Sequence, residues 1–371
     1  MKRILIFHIS QFGGHSKAAQ NVKEAFSYKN CNIDVVTLNG LGYFYPRGEK
    51  IIDLIYLATI KYAPRLWGKV YDRQRIVRVL SPYRRLIHQI SFRKLDKLIE
   101  DYKPDCFIAT QAFPCGLIAD FKEKTSLKTP LVGIVTDYYP HRFWIHPLVD
   151  RYIVACQEAK EVLINEGVNG QKIKIQGIPI SVKFLATYPK DQISQEFGFR
   201  NDSDTVLIMG GGLGIGPIKL IAKELDALDD KFQIIVVCGK NKKLYRNLTK
   251  NKNFFRKPIF IFGYIDYIHK LIDFSDIIIT KGGGITISEA LAKSLCIVVT
   301  KPIPGQERRN VDYLLKKGAI VEADTVSEIK TVVGRLLRDK KKMYYLKEAA
   351  KESSFIDSSL RIIDLVSEII N

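Results

Sequence analysis

A glycine-rich turn followed by a carboxylate is the stretch of this chain best suited to chemistry. Residues 281–291 read KGGGITISEAL after an apolar run, which predicts a buried strand, a turn and a helix opening at Ile285. Backbone amides at such a helix N-terminus bind anions, and the glycines leave room for close approach. A carboxylate one turn into the helix suits a sugar hydroxyl. We therefore predict a site for a nucleoside diphosphate and its ribose, formed by Gly283, Gly284, Ile285, Thr286 and Glu289.

A second glycine-rich turn follows the apolar run 205–209. Gly210, Gly211 and Gly212 lie between that predicted strand and a helix-compatible segment, where backbone can approach phosphate closely. The spacing matches neither the dinucleotide fingerprint nor the P-loop, and a tight turn that merely opens a helix is an equal alternative. Because both glycine turns fall in the same half of the chain, we interpret them as parts of one diphosphate site.

Two other turns in this half offer groups for the rest of a nucleotide sugar. Tyr264 and Ile265 follow the predicted strand 258–262 and present apolar side chains to a flat base. Gln306 and Glu307 lie on a loop stiffened by two prolines and suit hydrogen bonds to sugar hydroxyls. A plain turn is the alternative interpretation for Gln306 and Glu307.

A candidate base lies in the first half. His15 follows Gly13-Gly14 in the first strand-to-helix turn, and imidazole can accept a proton near pH 7. Asp137 ends another predicted strand of the same half. It either orients His15 and raises its basicity or acts as the base itself, and the sequence leaves both assignments open.

The elements that must position these residues are strands alternating with helices, in two series. Apolar runs of this kind predict an α/β fold of two Rossmann-like, doubly wound parallel sheets, facing each other across a cleft. Ligands of such sheets bind at the carboxyl ends of the strands. The predicted domains are 1–187 and 188–354, with a C-terminal helix at 355–371 packing back on the first. The predicted strands are 3–9, 33–38, 104–110, 131–135 and 151–155, then 205–209, 232–237, 258–262, 276–280 and 296–300.

Composition narrows the class of protein. The chain has 371 residues, 46% of them hydrophobic, enough for two cores. Its N-terminus is too short and too soon polar for a signal peptide, no apolar run is long enough to cross a membrane, and the six scattered cysteines indicate a reducing compartment. We therefore expect a cytoplasmic protein. Its net charge of +19 predicts an anionic partner.

Residues 61–97 carry much of that charge. They hold eleven Lys or Arg against two acids, with aromatic residues interleaved. This pattern is typical of an interfacial segment attracted to anionic lipid, although a solvated basic face is a simpler alternative. No recognisable nucleic-acid-binding motif accompanies the charge, so we expect no nucleic acid partner.

Taken in order, the motifs resemble those of the monogalactosyldiacylglycerol synthases of plants and the processive diacylglycerol glucosyltransferases of bacteria. The resemblance rests on Gly13-Gly14-His15, residues 61–67, Thr136-Asp137, Gly177-Ile178-Pro179, Gly210–Gly212, and residues 281–291 with 302–310.

The resemblance implies an inverting, metal-independent glycosyltransferase of the B-type fold with no cofactor. It would move a hexose from UDP-glucose or UDP-galactose to diacylglycerol at the inner face of the cell membrane, forming a β-glycoside. Glu289 would bind ribose, Gln306 and Glu307 would lie near the hexose, and His15 would be the base with Asp137 supporting it. The positions after Asp137 depart from the family pattern, so another lipid-linked or soluble acceptor stays open, as does a non-catalytic UDP-sugar sensor. The motifs do not distinguish glucose from galactose, nor do they indicate an oligomeric state.

Overall fold

A computed structural model describes residues 1–10, 13–46, 48 and 74–370, with the side chains of the helix that begins at Gln74 described from His88 onward. The chain forms two compact units. The first contains Met1–Val182, Pro304–Gln306 and Asp357–Asn371, and the second contains Lys183–Ile303 and Glu307–Ile356. The chain passes from the first unit to the second after Val182, whereas the sequence predicted this boundary after residue 187.

The first unit is built on a six-stranded parallel sheet in the order β2-β1-β3-β4-β5-β6. The two central strands are buried along their whole length and their two neighbours along most of it, as expected where helices cover both faces of a parallel sheet. The strands are β1 (Lys2–His8), β2 (Ile33–Asn39), β3 (Cys106–Ala109), β4 (Leu131–Ile134), β5 (Arg151–Val154) and β6 (Ile173–Ile175).

The described helices of the first unit connect these strands or close the chain. They are α1 (Gly14–Tyr28), α2 (Gly40–Phe44), α3 (Gln74–Tyr102), α4 (Ala112–Thr125), α5 (Gln157–Asn165) and, at the end of the chain, α14 (Ser358–Ile370). α14 buries Ile362, Ile363 and Val366. It is fixed to the first unit by Ser359 Oγ, which donates to the Ile180 carbonyl oxygen at 2.5 Å. Lys29, just beyond α1, pairs with Asp364 at 2.5 Å.

The second unit is built on another six-stranded parallel sheet, in the order β12-β11-β10-β7-β8-β9. Its strands are β7 (Asp204–Met209), β8 (Phe232–Val237), β9 (Ile259–Phe262), β10 (Ile277–Thr280), β11 (Cys296–Val299) and β12 (Ile320–Glu322). Its helices are α6 (Lys190–Phe197), α7 (Ile218–Asp226), α8 (Lys242–Lys250), α9 (Ile268–Phe274), α10 (Gly284–Ala292), α11 (Gln306–Lys316), α12 (Val326–Arg338) and α13 (Lys340–Glu352). α11 begins at Gln306, which is assigned to the first unit, and its other residues belong to the second.

All ten predicted strands are present, with ends that differ by two residues or fewer. Two further strands, β6 and β12, were not predicted because each is only three residues long and carries a charged residue (sequences IKI and IVE). Both lie at sheet edges. The segment after residue 187, where the sequence placed the domain boundary, contains a short helix, α6, which belongs to the second unit.

The basic segment 61–97 lies partly outside the described residues, which include none of positions 61–73. From Gln74 the chain is helical. In the part of the chain that is described, none of the helices combines the length and the apolar composition needed to cross a bilayer.

Candidate active site

His15 is held at the carboxyl edge of the first sheet by two neighbouring strands. Its Nδ1 lies 2.8 Å from the carbonyl oxygen of Thr110, which follows β3, and 2.9 Å from Oγ1 of Thr136, just after β4. Thr110 Oγ1 also donates to the His15 carbonyl oxygen at 2.9 Å. These bonds fix both the ring and the start of α1.

The hydrogen bonds decide which tautomer His15 adopts. A carbonyl oxygen can only accept, so Nδ1 must carry a proton and donate it to Thr110. The lone pair of the neutral ring is then on Nε2, which makes no hydrogen bond to any described residue. Burial lowers the pKa of His15 to about 4; the bond to Thr110 raises this pKa, and the nearby His8 lowers it further. His15 is therefore a neutral acceptor at pH 7, as a general base requires.

Asp137 lies one residue beyond Thr136 but does not orient His15 in the described structure. Its carboxylate is buried, with 6% of the residue exposed. The Gln306 side-chain amide donates to Asp137 Oδ2, and both residues belong to the first unit. Thr110 and Thr136 hold Nδ1 of His15, so they orient the ring in place of Asp137, and the alternative in which Asp137 acts as the base stays a prediction.

A buried polar cluster of the first unit was not predicted. Asp120 Oδ2 accepts from His88 Nδ1 at 2.5 Å, and Asp120 Oδ1 accepts from His146 Nε2 at 3.0 Å. Leu148 N donates to His146 Nδ1 at 3.2 Å, so the ring proton is on Nε2 and points to Asp120. The cluster joins α3 to α4 and to the loop after β4. Residues 32 and 26 positions apart in sequence meet here, which no local pattern indicates.

In the second unit, the two predicted glycine turns follow neighbouring strands, β7 and β10. α10 begins at Gly284 with Gly283 as its N-cap, no side chain caps it, and its first turn has no acidic residue. No carboxylate of the helix's own first turn therefore neutralises its first amides, which favours an anion site there. Ile285 and Glu289 are buried with 8% and 4% exposed, and Thr286 is half-buried.

Glu307 holds the turn before α10 in place. Its Oε1 lies 3.0 Å from Lys281 Nζ, and its Oε2 accepts from the Ile303 amide at 2.9 Å. Asn310 Nδ2 donates to the Gly282 carbonyl oxygen at 3.1 Å. A Cβ at Gly282 would lie 2.8 Å from the Glu307 carbonyl oxygen, so glycine is required for this close packing. Both carboxylate oxygens of Glu307, predicted near the hexose, thus bind protein groups of the second unit.

The turn after β7 serves two purposes. Gly210 packs directly on Ile215, whose amide donates to the Gly210 carbonyl oxygen at 3.1 Å, and a side chain there would overlap that backbone. Gly211 and Gly212, by contrast, have open space where a Cβ would point. The first glycine is therefore needed for the fold, whereas the next two leave room for a ligand.

The residues predicted to bind the flat base of the nucleotide lie after β9. Tyr264 is 62% exposed, and Lys240 Nζ lies 5.2 Å from the centre of its ring. Ile265 is half-buried. Together with the turns after β7 and β10, these residues lie at the carboxyl edge of the second sheet, as the sequence predicted.

The two units match two known families. Residues 15–180 match monogalactosyldiacylglycerol (MGDG) synthase, and residues 205–364 match the glycosyltransferase family 28 C-terminal domain. A processive diacylglycerol beta-glucosyltransferase of Bacillus cereus (strain G9842) is 30% identical over 372 residues, covering 98% of this chain and 93% of the relative.

Solved structures resemble the chain in fold. Acinetobacter baumannii MurG has a TM-score of 0.65 at 13% identity, over 99% of this chain and 100% of that chain. The UDP co-structure of S. aureus MnaA has a TM-score of 0.66 at 17% identity, over 100% of this chain and 97% of that chain. This likeness confirms the predicted α/β class with two Rossmann-like domains.

Proposed function

Since the chain belongs to the family of the MGDG synthases and processive diacylglycerol glucosyltransferases, we propose that it transfers a hexose from UDP-glucose or UDP-galactose to the hydroxyl of diacylglycerol. The observation that carries the proposal is the match to a diacylglycerol glucosyltransferase along 98% of this chain. A match of that extent includes both the His15 edge of the first sheet and the glycine turns of the second. The glucosyltransferase name favours glucose as the donor.

His15 is the proposed base. The acceptor hydroxyl gives its proton to Nε2 while its oxygen attacks the anomeric carbon of the donor. The Nδ1 proton, shared with Thr110 and Thr136, keeps the ring in the tautomer with a free Nε2 lone pair. Asp137 is proposed to support this step near the reacting groups, acting beside His15 rather than through a hydrogen bond to it.

The turns of the second unit are proposed to bind the donor. As the bond between anomeric carbon and diphosphate breaks, charge develops on UDP. The amides of Gly283, Gly284, Ile285 and Thr286 are proposed to stabilise it, and Gly211 and Gly212 leave room for phosphate. We propose that Glu289 binds the ribose and that Gln306 binds the hexose. Tyr264 and Ile265 are proposed to contact the nucleotide's flat base.

Glu307 is proposed to act on the donor site through the loop that it holds, because its oxygens bind Lys281 and Ile303. In-line attack on an α-linked donor inverts the anomeric centre and yields a β-glycoside. The helix N-terminus takes the role that a metal has in other transferases, so we propose a metal-independent reaction.

The acceptor is a membrane lipid, so the protein must meet a bilayer. We propose that segment 61–97 makes that contact at the inner face of the cell membrane, through its basic and aromatic residues.

The test combines both donors with vesicles that contain diacylglycerol. We expect UDP release and a new glycolipid by mass spectrometry, with a β linkage by NMR. His15→Ala should lower turnover by roughly 10²–10⁴-fold, the usual contribution of a general base, while UDP affinity by calorimetry stays within about twofold. If neither donor yields glycolipid although UDP binds, the proposed function is wrong. If His15→Ala keeps full turnover, only the assignment of the base is wrong.

A further inference from the structure

The second unit carries an exposed basic surface that the proposed reaction does not use. Residues 242–257 contain seven Lys or Arg and no Asp or Glu. They comprise α8, a 3-10 turn at Lys252–Phe254 and the adjoining loops. We name this the α8 surface.

One face of α8 is apolar and packed on the core, and another is basic and exposed. Leu248 is fully buried in the core of the second unit, and Leu244, one turn earlier, packs against the same core. Lys242, Arg246 and Lys250 repeat every four residues, so they share one face, and all are exposed. None of the three side chains forms an ion pair or hydrogen bond with a described residue. Their charges are therefore available to an outside partner.

Exposed aromatic rings accompany this charge. Phe254, in the 3-10 turn just after α8, is 82% exposed, and Tyr245 is 39% exposed. The side chain of Arg256, two residues after Phe254, pairs with the highly exposed Asp229 at 3.7 Å. Burying a phenylalanine ring is favourable, so an exposed ring in the turn that follows these cations suits a surface that is both anionic and apolar.

A bilayer of anionic phospholipid has both properties. Basic residues near such a surface are attracted to its headgroups, while aromatic rings enter the interface. We propose that the α8 surface is a contact site for anionic phospholipid on the second unit, separate in sequence from segment 61–97. The choice of lipid over another polyanion rests on the proposed function, whose acceptor lies in a bilayer.

The test measures binding of the full chain to vesicles of phosphatidylcholine with and without 30% phosphatidylglycerol, by co-sedimentation at about 0.1 M salt. The triple variant Lys242→Gln, Arg246→Gln, Lys250→Gln should lose roughly 100-fold in affinity for the anionic vesicles, since each charge near such a surface contributes about fivefold. Phe254→Ser should lose about tenfold. Circular dichroism confirms that both variants are folded.

A matched control removes three charges elsewhere on the second unit. Lys223 on α7, Lys316 on α11 and Lys341 on α13 are exposed and lie on separate elements. The variant Lys223→Gln, Lys316→Gln, Lys341→Gln has the same net charge as the α8 variant and should bind within about threefold of the unchanged protein.

Equal losses in the two triple variants would show an effect of net charge alone and overturn the proposal. Unchanged vesicle affinity of the α8 variant would also overturn it, and loss of affinity for a duplex RNA in that variant would assign the surface to nucleic acid instead. Turnover with detergent-dispersed diacylglycerol is measured separately. Its absence would contradict the proposed function, whereas the vesicle result would still decide the α8 proposal.

Discussion

The protonation state of His15 offers a quantitative test of the base assignment. Burial lowers its pKa from 6.5 to about 4, so at pH 5.5 only about 3% of the ring should be protonated. At the ordinary value of 6.5 the fraction would be about 90%. The difference of 2.5 pKa units corresponds to about 3 kcal/mol against placing a cation at this position.

The assay is NMR of protein whose histidine rings carry carbon-13 at Cε1 and nitrogen-15. The chain has six histidines, and the His15→Gln variant identifies the His15 signal by its absence. We expect that signal to move little between pH 8 and pH 5.5. Nitrogen shifts should report a neutral ring with the proton on Nδ1, because Nδ1 donates to the Thr110 carbonyl oxygen.

The pH dependence of turnover follows from the same pKa. The base must be neutral, so protonation of His15 should reduce kcat/KM only as the pH falls toward about 4. A His15 signal that titrates near pH 6.5 in the folded protein would refute the burial argument. A ring protonated on Nε2 at neutral pH would refute the proposed role of Thr110 and Thr136.

Three other perturbations test the remaining contacts. Gly282→Ala should destabilise the second unit by about 1–3 kcal/mol, because its Cβ would lie 2.8 Å from the Glu307 backbone. The control, Gly212→Ala, has open space at that position and should leave the melting temperature unchanged. Equal melting temperatures of the two variants would contradict the packing argument. Asp120→Asn should destabilise the first unit by about 1–3 kcal/mol, because one amide oxygen replaces the two carboxylate oxygens that accept from His88 and His146. The control, Glu123→Gln, changes a largely exposed side chain and should have little effect in the same thermal melt. A harmless Asp120→Asn would show that the cluster is dispensable. Dialysis against EDTA should leave turnover unchanged, and a loss that Mg²⁺ restores would contradict the metal-independent mechanism.

The strands were predictable because the sheets are parallel and covered by helices. Such strands are apolar on both faces, and runs such as 232–237 therefore stand out without an alignment. The same reasoning failed at β6 and β12, which are short edge strands with polar positions. The start of α10 was predicted within one residue, because a run of glycines after an apolar strand marks a turn.

The classes of residue in the site were also predictable, because strand ends of one parallel sheet share an edge. The hydrogen-bond and ion-pair partners of these residues were not predictable. Glu307 was predicted to face a sugar, yet its oxygens bind Lys281 and the Ile303 amide. Asp137 was predicted either to orient His15 or to act as the base, yet two threonines hold the His15 ring. In each case a single carboxylate had several possible partners, and sequence spacing does not rank them.

The order of apolar runs and glycine turns in the chain was enough to specify two wound sheets and the edge of each where ligands bind. It was enough because strand burial and turn geometry are local properties of a few consecutive residues. The tautomer and pKa of His15 depend on Thr110 and Thr136, which lie 95 and 121 residues away. Those properties follow from burial and hydrogen bonds that form only when β1, β3 and β4 are assembled side by side.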